Sequence, residues 1–259
     1  MKLSEREWML AALANLLALT AWVLPFTPQD PGFHAFADTR VWLGIPHAHN
    51  VLSNLPFALA GIAGLALLAT GRLAVPNRAF AAAAGLFFSG LLVTAVCSGW
   101  YHAAPEAHSL VLDRMGMVLA FAGTFGMLAA GRVSARAGWA LGGLALAAGP
   151  ASVLWWSAHG DLAPYAVLQF GGMLLLLLAA LLWREPGGPR WGWVLALYAL
   201  AKFMEVYDAE IYAMTGQLVA GHALKHLVAA GTALAVIMPL YRANSESAPA
   251  NRTLFTIAR

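Results

Sequence analysis

Residues 217–241 read QLVAGHALKHLVAAGTALAVIMPLY, an apolar run of membrane length that carries His222, Lys225 and His226. Two imidazoles and an ammonium are costly inside a bilayer, so packing alone does not call for them there. The four-residue spacing of His222 and His226 puts both rings on one face of a helix, one turn apart, where they can share a metal ion. No proline precedes Pro239, so the run reads as one unbroken helix.

The rest of the chain has the same character. Of its 259 residues 61% are hydrophobic and 10% are charged, against roughly 25% charged in soluble domains, which places it in the membrane class. Apolar runs of about 20 residues fall at 8–26, 50–70, 79–101, 110–130, 137–157, 163–183, 191–214 and 217–241. The expected fold is therefore an all-α membrane bundle of about eight transmembrane helices. Lys2 and Arg6 precede the first run, but it has no small-x-small cleavage pattern, so it reads as a retained helix.

Basic residues set the orientation. Lys2 and Arg6, Arg72 and Arg78, Arg132 and Arg136, Arg184 and Arg190, then Arg242, Arg252 and Arg259 occupy the N-terminus, alternate loops and the C-terminus. The other loops hold only Arg40, with Arg114 just inside the fourth run. This positive-inside pattern places both termini in the cytoplasm. A net charge of +3 spread over short loops in this way does not point to nucleic acid. Cys97 is the single cysteine, so no intrachain disulfide forms and the residue reads as a small apolar side chain. Residues 1–242 read as one transmembrane domain and 243–259 as a cytoplasmic tail. Residues 27–49, with Pro28, Pro31, Gly32, Gly44 and Pro46, read as a long polar connection folded over an external pocket.

With this orientation all eight histidines lie on or near the external side. His222 and His226 are expected about 5 and 9 residues into the last helix, roughly 7–14 Å deep. Ser98 and His102 are four apart near the external end of the third run, and Asp113 opens the next, antiparallel one. A lone intramembrane histidine commonly bonds a neighbouring helix. The pair together with His102, Asp113 and Ser98 at one level moves the reading to a metal site. Three imidazoles with an open position are the ligand set of catalytic zinc, and a nearby carboxylate can take the proton from activated water. Lys225 sits about 60° round the helix from His222 and about 100° from His226, and reads as meeting a carboxylate or snorkelling rather than as a ligand. Lys202, Glu205, Asp208 and Glu210 read as a charged ladder, structural or supporting the site. His47 and His49 read as a hydrated loop pair.

At these residues the chain resembles the alkaline ceramidase family, membrane amide hydrolases grouped with adiponectin-receptor-like proteins. The resemblance runs from about residue 30 to 240. It rests on Ser98-x-x-x-His102, Asp113 eleven residues on, and His222-x-x-x-His226 in the last helix, with Asn50-Val51-Leu52-Ser53-Asn54-Leu55 similar to the segment opening the family's first core helix. It implies a seven-helix core, here 50–241, with 8–26 as an extra N-terminal helix. His102, His222 and His226 would hold zinc, Asp113 would act as general base or proton shuttle, and Ser98 would support the oxyanion. The implied reaction is hydrolysis of the amide of ceramide or a related N-acyl membrane lipid, releasing a fatty acid and a sphingoid-type amine. The family's acidic calcium motif is reduced here to Asp38, with His47 where a later acidic ligand would stand. The chain is in this respect similar to the bacterial branch, which implies an inner membrane with the active site on the periplasmic face.

Two other classes compete with a zinc-dependent lipid amidase. A receptor or lipid-remodelling scaffold would use zinc structurally, but a closed structural site wants a fourth protein ligand rather than Asp113 and Ser98. A haem protein needs facing histidines a ring-width apart, and a transporter needs broken helices near the midplane.

Overall fold

The structure is a computed structural model that describes residues 2–183 and 187–242. The expected tail 243–259, with Arg252 and Arg259, and the loop residue Arg184 lie outside the described residues. Within them the chain is helical, with isolated bridges and no strand. Helix α1 spans Glu5–Val23, α2 Ala48–Leu52, α3 Leu55–Ala69, α4 Arg78–Ala103, α5 Ala107–Arg132 and α6 Ala135–His159. Then come α7 (Ala163–Ala166), a π-helical turn Val167–Gly171 and α8 (Gly172–Leu182), followed by α9 (Trp191–Val206), α10 (Asp208–Met214) and α11 (Gly221–Leu240).

Six described stretches are long and apolar enough to cross a membrane: Ala48–Ala69, Arg78–Ala103, Ala107–Arg132, Ala135–His159, Ala163–Leu182 and Gly221–Leu240. They match six of the expected runs to within a few residues. The other two differ for local reasons. Helix α1 opens on Glu5-Arg6-Glu7, where Ser4 and Glu7 form a capping box, so charge occupies its first turn. The seventh run divides at Tyr207 into α9 and α10, each too short alone.

The last helix also begins later than its hydropathy suggests. Gly216 and Gln217 take positive φ values of 62° and 64°, and the Thr215 hydroxyl donates to the Val219 carbonyl. That turn leaves residues 217–220 outside α11, so His222 stands in its first turn rather than 5 residues deep.

Caps explain where the long helices start. Asn77 accepts from the Phe80 amide ahead of α4, and Ser134 from the Ala137 amide ahead of α6. Large apolar side chains such as Trp22, Leu59, Val96, Leu154, Leu181 and Leu234 face outward, as a lipid-facing surface requires. The interior holds Phe80, Phe88, Met127, Leu128, Leu176 and Val236 among many alanines.

Contacts between termini and turns order the two ends of the bundle. Arg136, beginning α6, pairs with Glu7 of α1, and the Arg242 amide, just after α11, donates to Arg72 between α3 and α4. Arg136 holds the Glu7 carboxyl below the usual range. At the opposite end, Asp161 accepts from the Thr27 and Ala163 amides, which lowers its pKa and ties the chain after α1 to the turn before α7.

Candidate metal centre

Close helix approach builds the site. Helices α4 and α5 run antiparallel, and a Cβ on Gly116 would stand 2.8 Å from the Thr94 Cα. Only a residue without a side chain allows this separation. It sets the buried Asp113 beside the buried Ser98. Gly221 acts likewise where α11 starts, because a Cβ there would strike the Met204 carbonyl of α9. Helix α11 can then seat its first turn against α9 and α10.

His102, His222 and His226 converge as expected, all three buried. One ligand nitrogen from each can be chosen so that all lie within 4.8 Å of one another, and no other group of three such side chains is found among the described residues. The Nε2 atoms of His102 and His222 are 3.3 Å apart. Tetrahedral zinc with Zn–N near 2.0–2.1 Å would set its ligand nitrogens about 3.3–3.4 Å apart.

The rings differ in their partners: His102 Nδ1 has none, His222 Nε2 has Lys225 Nζ at 2.8 Å, and His226 Nδ1 has Ser53. Ser53 has one hydroxyl proton, which it donates to the Asn50 carbonyl at 2.9 Å. Toward His226 it therefore accepts, from Nδ1 at 2.8 Å. Holding Nδ1 as the donor leaves Nε2 of His226 with its lone pair, the usual way a ligand imidazole is oriented. The donor set fits zinc: two imidazole nitrogens face each other at 3.3 Å, a third ring lies within 4.8 Å of both, and Lys225 would have to leave His222 Nε2 for Glu205 alone when the metal binds.

Lys225 meets Glu205 at 3.0 Å, as its helical position suggested, and its Nζ also lies 2.8 Å from His222 Nε2. Lys202 completes this ion group on Glu205. The expected ladder stops there, because the break at Tyr207 turns Asp208 elsewhere. Asp208 accepts from the amides of His222 (2.7 Å) and Ala37 (2.9 Å), pinning the connection after α1 onto the start of α11.

That connection, residues 24–47, covers the centre as a strap. Phe36 lies against His102 and His222, with ring centroids 4.8 and 4.5 Å away. Asp38, the expected calcium residue, is buried with its carboxylate engaged by Arg40 at 2.6 Å and His49 Nδ1 at 2.7 Å. Hydrogen bonds from Arg40 push its pKa down to about 2. No metal-binding group among the described residues includes it. Arg40 also donates to the Leu218 carbonyl, so Asp38 fastens the strap. His47, expected beside His49 in a hydrated loop, instead begins α2 with φ of 45° and packs edge-on to Phe36.

A cavity of about 430 Å³ runs beside the cluster. Ser98, Asp113, Arg114, Glu205, His222, Lys225 and His226 line one part. Phe57, Phe87, Leu91, Phe121, Met173, Trp191, Val194 and Val236 line the rest. His226 and Val236 are ten residues apart on α11, so the apolar part reaches about 15 Å along the helix.

No family model and no curated protein sequence matches the chain. The functional reading therefore rests on the site itself.

Sequence reading did not assign Ser53, Phe36 or a role for Asp208. Ser53 lay in the polar run Asn50–Asn54 that opens an apolar helix, which was the available signal. Nothing local marks Phe36, and the charge that singled out Asp208 did not reveal its bonds to the His222 and Ala37 amides.

Proposed function

We propose that the protein is a zinc-dependent intramembrane lipid amidase, hydrolysing the amide of ceramide or a related N-acyl lipid to a fatty acid and an amine. The observation that carries this reading is a buried three-imidazole cluster, two of whose rings, His222 and His226, line one elongated apolar cavity with Asp113 and Ser98. In this reading the chain crosses a bacterial inner membrane eight times, with α1 and the α9–α10 pair added to the six long spans. Both termini lie in the cytoplasm, and the centre faces the periplasm.

His102, His222 and His226 hold the metal. When bound, zinc supplies Lewis acidity, which polarises a carbonyl and lowers the pKa of water. The apolar wall takes the acyl chain and leaves the amide at the polar end of the cavity. Asp113 accepts a proton from the attacking water and passes it to the leaving nitrogen. The water oxygen bonds the carbonyl carbon, the C–N bond breaks, and the products are a fatty acid and a free amine. Ser98 turns its hydroxyl to the oxygen that gains negative charge, an effect of about 3 kcal/mol for one good donor. Phe36 and the strap exclude bulk water, which strengthens each of these interactions.

The test is fatty-acid release by detergent-solubilised, zinc-loaded protein from ceramides, phytoceramides and other lipid amides. Hydrolysis of one or more classes is expected. No release across the whole panel would replace this reading with a zinc-containing receptor or scaffold.

A further inference from the structure

We propose that Arg114 is the receptor for an anionic group on the substrate, so that the lipid taken by the cavity carries a carboxylate or phosphate at its polar end. The inference rests on reading the cavity as a lipid site.

Arg114 lies in the second turn of α5, on the strap side of the bundle, and only 4% of its surface is exposed. Its guanidinium stands over the rings of Trp156 at 3.9 Å, Tyr165 at 4.9 Å and Phe33 at 5.6 Å. Such stacking stabilises the charge but leaves the N–H groups without acceptors. Nη2 donates to Gln29 Oε1 of the strap, a neutral oxygen. Nη1 is buried and has no hydrogen-bond partner. No ion pair with the adjacent Asp113 is found among the described residues, and Glu205 is taken by Lys202 and Lys225.

A buried guanidinium with an unmet donor is expensive in any protein and more so at membrane depth. A fold that merely needed a polar residue here would use one without permanent charge. The guanidinium fork matches the paired oxygens of a carboxylate or phosphate. Position supports the same conclusion. Arg114, Gln29 and Phe33 line the strap end of the cavity, while Trp191 and Val236 line its far apolar end. A lipid whose acyl chain fills the apolar end brings its polar end towards Arg114.

Two matched pairs test this by binding, with a chelator present so that neither turnover nor a metal contributes. N-palmitoylglycine is compared with N-palmitoylethanolamine, and ceramide 1-phosphate with the same ceramide. The acidic member of one or both pairs should bind at least tenfold more tightly to the detergent-solubilised wild-type chain. Preference in the first pair alone identifies a carboxylate, and in the second alone a phosphate. Arg114→Gln should bring the affinity for the acidic ligand down to that for the neutral one. If Arg114→Gln does not fold, Arg114→Lys supplies the readout, because it keeps the charge and loses the fork; its acidic preference should shrink. Equal binding within both pairs, or a preference untouched in the variants, overturns the inference. Acidic preference without hydrolysis of any lipid amide would remove the proposed function and leave this inference standing. Hydrolysis with no acidic preference would do the reverse.

Discussion

The Ser53 hydroxyl accepts from His226 Nδ1 at 2.8 Å, although the two residues are 173 positions apart in the chain. This contact sets which nitrogen of His226 keeps its lone pair, and it joins α2 to α11. Ser53→Ala removes the acceptor without touching a ligand. Zinc affinity should fall by about 10–100-fold, the usual cost of losing such a partner. Competition with a chromophoric chelator measures it, and unchanged affinity would separate Ser53 from the centre.

The ligand set makes a stoichiometric prediction. Purified protein should carry a single zinc per chain, and His102→Ala, His222→Ala and His226→Ala should each lose most of it. Elemental analysis is sufficient. Full zinc occupancy in all three variants would end the three-histidine site.

Asp113 lies outside the three-ligand group, so binding and proton transfer should separate there. Asp113→Asn should retain zinc and lower turnover by about 10²–10⁴-fold. Wild-type rates in that variant would remove Asp113 as the proton acceptor.

The strap should loosen in acid. The Asp38 carboxyl is depressed to about 2 in the folded protein, below the usual value near 3.9. Its contribution is therefore fully present above about pH 4 and is lost as the pH falls from there towards 2. Asp38→Asn should mimic that loss at neutral pH. Limited proteolysis between residues 24 and 47 reports strap release, which should be faster in Asp38→Asn than in the wild type at pH 7. Equal cleavage rates would show that Asp38 does not hold the strap.

Gly116 offers a test of the helix spacing. A methyl group there would stand 2.8 Å from the Thr94 backbone. Gly116→Ala should cost about 1–3 kcal/mol of stability and, by parting Asp113 from Ser98, reduce turnover while zinc stays bound. A thermal melt at wild-type temperature would show that α4 and α5 can separate freely.

The membrane class, six of the spans and the three histidines were legible in the linear chain, because hydropathy and four-residue spacing are local properties. A 20-residue apolar run crosses a bilayer whatever it packs against, and His222 and His226 share a face by helix geometry alone. The break at Tyr207 was not legible, since Lys202, Glu205, Asp208 and Glu210 around it also read as a charged ladder on one continuous helix. The late start of α11 depends on the turn at Gly216 and Gln217, which hydropathy does not register.

Sequence by itself determined the kind of molecule and the residues able to bind a metal. Tertiary structure decided which atoms serve them. It brought Ser53 to His226, Asp208 to the His222 amide and Phe36 onto two imidazoles. It also engaged Asp38 with Arg40 and His49, and left Arg114 buried with a donor unmet. The Ser53 and Phe36 contacts join residues far apart in the chain, so they depend on how closely helices pack. Small side chains such as Gly116 and Gly221 permit that packing, but the register they produce is a property of the whole bundle.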